Sequence, residues 1–368
     1  MVHILFIFLF VVSSWAMPVV DKYPSYSYVF GEFDVDSDYI YDDTFVEFLQ
    51  KNEKRYQTFY KNSLKRGGHL IPTFKSMLIQ DGLSDLFVYM SMIESGFSTD
   101  CVSCKSAVGI WQFMEATARQ YNLSVNSDFD ERLDPILATS AAMSYMHKLY
   151  KDFGKWYLVA MAYNCGEGRL QKGIRKAGTD DISVLMREDA GYIPKETRTY
   201  IKKILLVAMI GENVSLGLEK TEEMGDAVVQ LYGKDVVQVE IDPGESLEQV
   251  AKMINMEPKD LLKINHHFKD GVVPVKLPSY KMNIPNMKVI DFYAIYTLQK
   301  ELQRYSKSHY LSHVVKSKED LKQIADKYST SVGEIAVVNP TLKGKIRRGQ
   351  VLVIPVTKKV FDKFSNWS

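Results

Sequence analysis

The sequence predicts a multidomain α+β protein, in which an all-α domain precedes two small βααβ modules. From about residue 42 to 213, apolar residues recur at helical spacing, whereas short β-prone runs such as 236–241 and 351–354 appear only after Gly225. An internal repeat in the second part supports the paired modules. At 368 residues, the chain is also longer than a single hydrophobic core usually supports.

Prolines and glycines mark the ends of the predicted helices. Proline fits the first turn of a helix, and glycine is common just past the last turn. Pro72, Pro135 and Pro194 therefore indicate three helix starts. Gly82 and Gly154 indicate where the first two of these helices end.

The repeat consists of residues of matching type that recur 74 positions apart, namely Leu247 and Leu321, Val250 and Ile324, Ala251 and Ala325, Leu261 and Ile335, and Asn265 and Asn339. Each copy closes on a β-prone run that ends in Ile-Pro, at Pro285 and at Pro355. We therefore expect strand–helix–helix–strand units over 237–285 and 313–357, with a linker at 286–312.

The N-terminus indicates export. The apolar run 4–12 is shorter than the roughly 20 residues that cross a bilayer, and the small residues Ser14 and Ala16 precede a cleavage position near Ala16. The alternative is a membrane anchor. No cysteine precedes Cys101, so a lipid anchor would have no attachment point. We expect residues 1–16 to be a signal peptide and the protein to be periplasmic, with membrane association left open.

The composition limits the partners and cofactors. Lys and Arg total 46 against 45 Asp and Glu, a balance that gives no reason to expect nucleic acid. A polymeric substrate would instead be recognised by hydrogen bonds and aromatic contacts. The cysteines, Cys101, Cys104 and Cys165, lack the fourth ligand of a zinc site, so no metal or other cofactor is expected. A small disulfide and free thiols both remain open.

Glu94 is the most informative carboxyl group of the chain. The segment 86–93 is apolar nearly all round and predicts a buried helix, which Gly96 would end. Glutamate is rarely buried unless it is paired or functional. The alternative is that Glu94 lies at the helix end and points to water.

Glu94 begins a series of short sequence motifs. In order along the chain, they lie at 94–97, Ser103, 108–114, 162–168 and 196–200. Together they resemble the lytic transglycosylases of the goose-lysozyme-like (SLT) superfamily, and most closely the membrane-bound lytic murein transglycosylase D group, which adds LysM modules downstream. The resemblance covers nearly all of the chain after the signal segment. It implies a lysozyme-like domain over 70–215, preceded by a partly helical lead-in over 17–69, and LysM modules for the two repeat units, the second matching better.

The resemblance also implies the site residues. Glu94 matches the catalytic acid and base. Positions that match substrate-binding residues are Ser103, Gln112, Tyr163, Asn164, Glu196 and Tyr200. Trp111 and Phe113 are expected to pack in the core. Cys165 departs from the pattern, which usually has alanine there, and the slightly larger thiol should be tolerated.

The chemistry implied by the resemblance needs only one carboxyl group, whereas most glycosidases use two. Glu94 would protonate the oxygen of the bond that follows N-acetylmuramic acid in peptidoglycan. It would then take the proton of the C6 hydroxyl, which closes onto C1 as a 1,6-anhydro end. An acid that is neutral near pH 7 needs a pKa roughly two units above that of free glutamate. The dipole at a helix C-terminus destabilises a carboxylate by only ~0.3–1 kcal/mol, which is less than one pKa unit. Burial must therefore supply most of this shift.

Two rival functions remain. A muramidase would hydrolyse the same bond with water, using Glu167 or Glu196 as the second carboxylate. A non-catalytic wall-binding protein would use the helical domain only to bind glycan. The presence of the full set of motif residues, Glu94, Gln112 and Tyr163, argues against this function.

Overall fold

The structure, a computed structural model, describes residues 19–217, 235–276, 279–306, 309–342 and 346–365. The predicted signal peptide lies outside these residues. The first part is helical, as predicted. Its helices are α1 (Val19–Lys22), α2 (Tyr26–Glu32), α3 (Asp43–Gly67), α4 (Ile71–Gln80), α5 (Val88–Ser95), α6 (Glu115–Gln120), α7 (Pro135–Phe153), α8 (Trp156–Cys165), α9 (Glu167–Ala177), α10 (Ile182–Leu185) and α11 (Lys195–Ser215).

The expected helix ends are confirmed. Asp134 accepts hydrogen bonds from the amides of Ile136 and Leu137 at 2.8 and 3.1 Å, so it caps α7 in front of its first-turn proline. Gly154 follows the last turn of α7 in the left-handed conformation. Helix α11 begins directly after Pro194 and continues to Ser215.

The lead-in is part of the helical domain. Phe45, Tyr56, Tyr60 and Leu64 of α3 are buried in the same core cluster as α11. The backbone of Gly67 approaches Phe97 so closely that a Cβ at this glycine would lie 2.5 Å from the Phe97 carbonyl oxygen. The segment that precedes the predicted catalytic domain therefore helps to hold the end of α5.

The second part contains both copies of the βααβ unit. Its elements are β1 (Val236–Ile241), α12 (Leu247–Met253), α13 (Pro258–Lys263), β2 (Tyr280–Pro285), α14 (Val289–Ser306), β3 (His309–Val314), α15 (Leu321–Lys327), α16 (Val332–Val338), β4 (Val351–Val356) and α17 (Lys358–Ser365). Strands β1 and β2 pair antiparallel, as do β3 and β4.

Matching asparagines stabilise the two units in the same way. Asn265 follows α13, donates to the carbonyl of Asn283 in β2 at 2.7 Å and accepts from its amide at 2.8 Å. Asn339 follows α16 and makes the same pair of bonds to Val353 in β4, at 2.7 and 2.9 Å. These bonds give the repeated asparagine a physical role, since they tie the second helix to the closing strand.

The first unit packs directly on the helical domain, and its core residues belong to the same cluster. Buried Asn283 donates to Asp134, the α7 cap, at 3.1 Å. The amide of Val236 donates to the Thr73 hydroxyl at 2.8 Å, and a β-bridge joins Phe129 to Phe268. The second unit has a separate core, to which α17 contributes Phe361 and Phe364.

The predicted linker is mostly the helix α14. Phe292 and Tyr296 are buried against the first unit, and Lys300 forms ion pairs with Asp242, at 2.9 Å, and with Glu245. The linker is thus fixed to the first unit along much of its length. Among the described residues, no helix is both long and apolar enough to cross a membrane.

Candidate active site around Glu94

Glu94 occupies the last turn of α5, which is anchored on both sides. Gly96 follows in the left-handed conformation, with φ of 59°. Arg66 of α3 donates from Nε to the Gly96 carbonyl oxygen at 2.9 Å, and so binds an acceptor that the helix end leaves open. Ser95 donates to the Ile110 carbonyl at 3.0 Å, which fixes the helix end to the following loop.

The carboxyl group of Glu94 is only partly exposed. Burial raises the pKa of Glu94 to about 7. The Tyr200 hydroxyl and the Lys203 ammonium group lower this pKa, and the Glu196 carboxylate raises it. Desolvation raises the pKa by more than the Tyr200 and Lys203 contacts lower it. An appreciable fraction of Glu94 is therefore neutral at pH 7.

Two tyrosines lie beside Glu94. The negative charge of Glu94 helps burial to raise the pKa of both Tyr163 and Tyr200 well above the ordinary value. Tyr163 donates its hydroxyl proton to the Trp111 carbonyl at 2.8 Å. The Tyr200 hydroxyl is buried and has no hydrogen bond of ordinary geometry within the described part of the chain. Tyr163 is therefore held in place, whereas Tyr200 keeps a donor for the carboxylate or for a bound molecule.

The loop from 101 to 113 is a compact turn. Val108 and Phe113 exchange backbone hydrogen bonds at 3.0 Å in both directions. Gly109 has φ of 82°, and a Cβ there would lie 1.8 Å from the Arg132 carbonyl oxygen, so this position requires glycine. Trp111 and Phe113 are buried in the core, as expected.

The polar residues of this loop mostly hold the loop itself. Gln112 has a positive φ of 51° and donates from its side chain to the carbonyls of Gly109 and Cys101, at 2.7 and 3.2 Å. The Ser103 hydroxyl accepts from the Ala107 amide at 2.9 Å. Both side chains remain partly exposed and retain capacity for further hydrogen bonds.

The beginning of α11 faces this loop. Lys105 of the loop lies 3.9 Å from the Glu196 carboxylate, and both side chains are largely exposed. Asn164, at the end of α8, accepts from the Thr197 hydroxyl at 2.8 Å. The positions predicted as substrate-binding therefore lie on segments that converge near Glu94, although Asn164 and Gln112 also bind the protein.

Neither rival second carboxylate resembles Glu94. Glu167 forms an ion pair with Lys148, which also binds Asp152 at 2.9 Å. Glu196 is exposed over 75% of its side chain. Burial raises the pKa of Glu94, whereas Glu167 is paired with a lysine and Glu196 is largely exposed.

Sequence reasoning missed Lys203 and Arg66. Lys203 is half-buried, and desolvation lowers its pKa. Its spacing from Glu196 and Tyr200 on α11 could have indicated a shared helix face. Arg66 carries no such signal, because it lies in the lead-in, outside the motif blocks. Cys101, Cys104 and Cys165 are free thiols, and no three metal-binding side chains cluster in the part that the structure describes.

Comparison with known proteins identifies two of the domains. Residues 74–186 match the family model of the transglycosylase SLT domain. The chain carries an SLT domain. Residues 313–355 match the LysM domain model, so the second βααβ unit is a LysM domain. These matches confirm the resemblance drawn from the motifs. The first unit shares with the LysM domain the strand–helix–helix–strand order and the repeated asparagine.

Curated relatives show the same likeness. The chain is 30% identical over 204 residues to membrane-bound lytic murein transglycosylase D of Escherichia coli, an alignment that covers 53% of this chain and 42% of the relative. It is 40% identical over 86 residues to a putative tributyltin chloride resistance protein of an Alteromonas species, covering 23% of this chain and 42% of that protein. The chain thus spans less than half the length of these relatives.

Two more distant likenesses complete the comparison. The peptidoglycan transglycosylase of Escherichia phage T7 is 33% identical over 138 residues, which is 37% of this chain and 10% of that protein. A solved structure, an inactive mutant of the lytic transglycosylase Slt from Pseudomonas aeruginosa, aligns with a TM-score of 0.33 and 21% identity over 39% of this chain and 24% of that one.

Proposed function

We propose that this protein is an exported lytic transglycosylase, which cleaves the bond between N-acetylmuramic acid and N-acetylglucosamine in peptidoglycan of the periplasmic wall. The observation that carries the proposal is the state of Glu94, a partly buried acid of the SLT domain whose pKa is about 7. Such a group is neutral often enough at pH 7 to donate a proton, and basic enough to take one back.

Glu94 acts twice in the proposed reaction. It first donates its proton to the bridging oxygen, so that the bond from C1 of the muramic acid to this oxygen breaks and the leaving sugar departs as an alcohol. The substrate's own N-acetyl group stabilises the positive charge on C1. The resulting Glu94 carboxylate then removes the proton of the C6 hydroxyl, and the C6 oxygen bonds to C1. Water is not consumed, and Glu94 ends the cycle protonated.

Tyr200 and Lys203 support the carboxylate half of this cycle. Both lower the pKa of Glu94, which means that both stabilise the charged form. Burial stabilises the neutral form. The balance keeps the two forms close in free energy, as a group that alternates between acid and base requires.

The surroundings of the other carboxylates favour this reaction over hydrolysis. Glu167 is held by Lys148, and Glu196 is exposed beside Lys105. An inverting hydrolase needs a second carboxylate that activates water on the opposite face of the sugar. Glu167 is poorly suited to that role because its charge is already paired.

The LysM domain is proposed to bind the glycan backbone of the wall, without a metal or other cofactor. This role would keep the SLT domain close to its polymeric substrate and raise the local substrate concentration. The first unit has a structural role as well, since it shares a core with the SLT domain.

The proposal is tested by digesting purified peptidoglycan sacculi and analysing the products by mass spectrometry. We expect products that end in 1,6-anhydro-N-acetylmuramic acid, and we expect Glu94→Gln to lose at least about a hundredfold in rate. Products with reducing ends would replace the proposal by a muramidase. Sacculus binding without any cleavage by the wild type would replace it by a wall-binding protein.

A further inference from the structure

A cleft of about 660 Å³ opens where the SLT domain and both βααβ units meet. It is lined by Ser127 and Asp128 of the SLT domain, by residues of the segment 269–276 in the first unit, and by Leu321 and Ile346 of the LysM domain. Its volume is in the range of ligand-binding pockets. We propose that it is a composite binding site, in which all three parts hold one uncharged N-acetylated oligosaccharide.

The two units meet through their backbones. A Cβ at Gly333, in the first turn of α16, would lie 2.3 Å from the Pro243 carbonyl oxygen, and a Cβ at Gly244 would lie 2.5 Å from the Gly333 amide nitrogen. Such an approach leaves no room for a side chain at either position. It holds the LysM domain against the first unit, and the Lys300 ion pairs hold the preceding helix α14 on the same unit. The cleft between them is therefore a formed feature of the fold.

The first unit offers little room for a ligand between its own loops. The Gly244 amide donates to the Val273 carbonyl at 2.8 Å, and the Val273 amide donates to the Glu245 carbonyl at 2.9 Å. These bonds join the loop after β1 to the loop before β2. The segment 269–276 instead lines the cleft that it shares with the LysM domain.

The segment 269–276 is also tied to the SLT domain. Lys276 forms an ion pair with Asp128, and Lys269 donates to the Asn126 carbonyl at 2.6 Å. The Asp130 amide donates to the His267 carbonyl at 3.1 Å. A molecule bound in the cleft would thus contact a wall that belongs to the SLT domain and the first unit together.

The chemistry of the walls favours an uncharged, hydroxyl-rich ligand. Some of their charges are paired, since Lys276 pairs with Asp128 and Glu319 lies 2.9 Å from the His313 ring. Asp270 and Asp320 add two further carboxylates to the walls. These carboxylates would repel an anionic ligand. The remaining oxygen lone pairs can accept from hydroxyl and amide groups.

The apolar part of the walls suits the rest of such a ligand. Val272, Pro274 and Val275 of the first unit line the cleft together with Leu321, Val332 and Ile346 of the LysM domain. Apolar side chains of this kind pack against sugar faces and acetyl methyl groups, while a few polar groups fix the orientation. The choice of an N-acetylated glycan as ligand rests on the proposed function.

The test is a titration of the full-length chain with the tetrasaccharide of N-acetylglucosamine, followed by methyl NMR. The chain carries Glu94→Gln so that the probe is not cleaved. We expect the methyl signals of Val272, Val275, Val332 and Ile346 to shift along one common binding curve. Shifts confined to the LysM domain, or no binding at all, would overturn the composite site.

Gly333→Ala separates the composite site from a site within one unit. The added methyl group must push the two units apart, while alanine is favourable within helix α16. We expect this variant to weaken binding at least about tenfold, whereas Gly31→Ala, which has no atom within 4 Å of its new Cβ, should not change it. Unchanged affinity of Gly333→Ala would refute the proposal.

The methyl signals of Ile335 and Ile354 show whether Gly333→Ala disturbs the LysM core. If it does, the variant Val275→Asp replaces it. Val275→Asp places a charge in the cleft from the first unit, and the same loss of affinity is expected. Formation of anhydro products by the wild type is measured in parallel. Anhydro products without probe binding would refute the composite site alone, and their absence would refute the proposed function.

Discussion

The Tyr200 hydroxyl is buried beside the Glu94 carboxyl group and has no hydrogen bond of ordinary geometry within the described residues. The same group lowers the pKa of Glu94, so it stabilises the carboxylate form of the acid. Tyr200 therefore favours the charged form of Glu94, in opposition to burial.

Glu94→Gln should stabilise the fold at neutral and alkaline pH. The pKa of Glu94 is raised in the folded state, so the unfolded chain loses the proton first and the free energy of unfolding falls as the pH rises through this range. Replacing the carboxyl by an amide removes a penalty of up to about 3 kcal/mol. Thermal unfolding should show a higher Tm for the variant at pH 8 and no difference at pH 4. A lower Tm at pH 8 would contradict the burial of Glu94.

Tyr200→Phe should raise the pKa of Glu94. The substitution removes a group that stabilises the carboxylate, so the alkaline limb of the rate profile should move to higher pH. Tyr163→Phe is the comparison, since it leaves the Trp111 carbonyl without its 2.8 Å donor and should cost about 1 kcal/mol of stability instead. Identical pH profiles for Tyr200→Phe and the wild type would remove Tyr200 from the control of Glu94.

Lys203→Met should also shift the pH profile of activity to higher pH. Lys203 lowers the pKa of Glu94 through its charge, and methionine keeps an unbranched side chain of similar length without that charge. The control is Lys195→Met, because Lys195 is exposed at the start of α11 and does not contribute to the pKa of Glu94. Equal shifts for both variants would indicate a general effect of net charge.

His267 should make the protein less stable in acid. Burial lowers the pKa of His267, although Asp134, 3.6 Å away, opposes this effect. The folded state therefore binds the proton less readily than the unfolded state, and the free energy of unfolding falls as the pH drops below about 6.5.

The check is chemical denaturation between pH 7 and pH 5. His267→Phe should reduce the loss of stability over this range. His147→Gln should not, since the His147 ring is 49% exposed. A wild-type stability that stays constant over the range would contradict the burial of a neutral His267.

Deletion of the LysM domain should separate binding from catalysis. Removing residues 309–368 takes away a domain with its own core, so sacculus binding should weaken while the cleavage of short soluble glycans persists. Removing residues 236–368 should instead destabilise the SLT domain, because Asp134 loses Asn283 and Thr73 loses Val236. Equal Tm values for the two truncated chains would contradict the shared core.

The sequence predicts well what local signals encode. Gly96 ends α5 and Asp134 caps α7, because capping depends on residues within one turn of the helix end. The repeat predicts both βααβ units, and Asn265 and Asn339 show why the same residue type recurs. Such features need no knowledge of distant contacts.

The long-range arrangement could not be predicted in the same way. Lys203 approaches Glu94 only because α11 packs against α5, although more than a hundred residues separate them along the chain. The docking of the first unit on Asp134 is likewise invisible to periodicity, since a hydrophobic pattern indicates which face is buried and not which partner covers it.

The proposed role of Glu94 as acid and base is tested by a titration of its carboxyl carbon by ¹³C NMR, with the signal assigned by its loss in Glu94→Gln. A midpoint near pH 7 is expected, since burial raises the pKa of Glu94 to about 7. A midpoint near 4.3, the value of free glutamate, would contradict it.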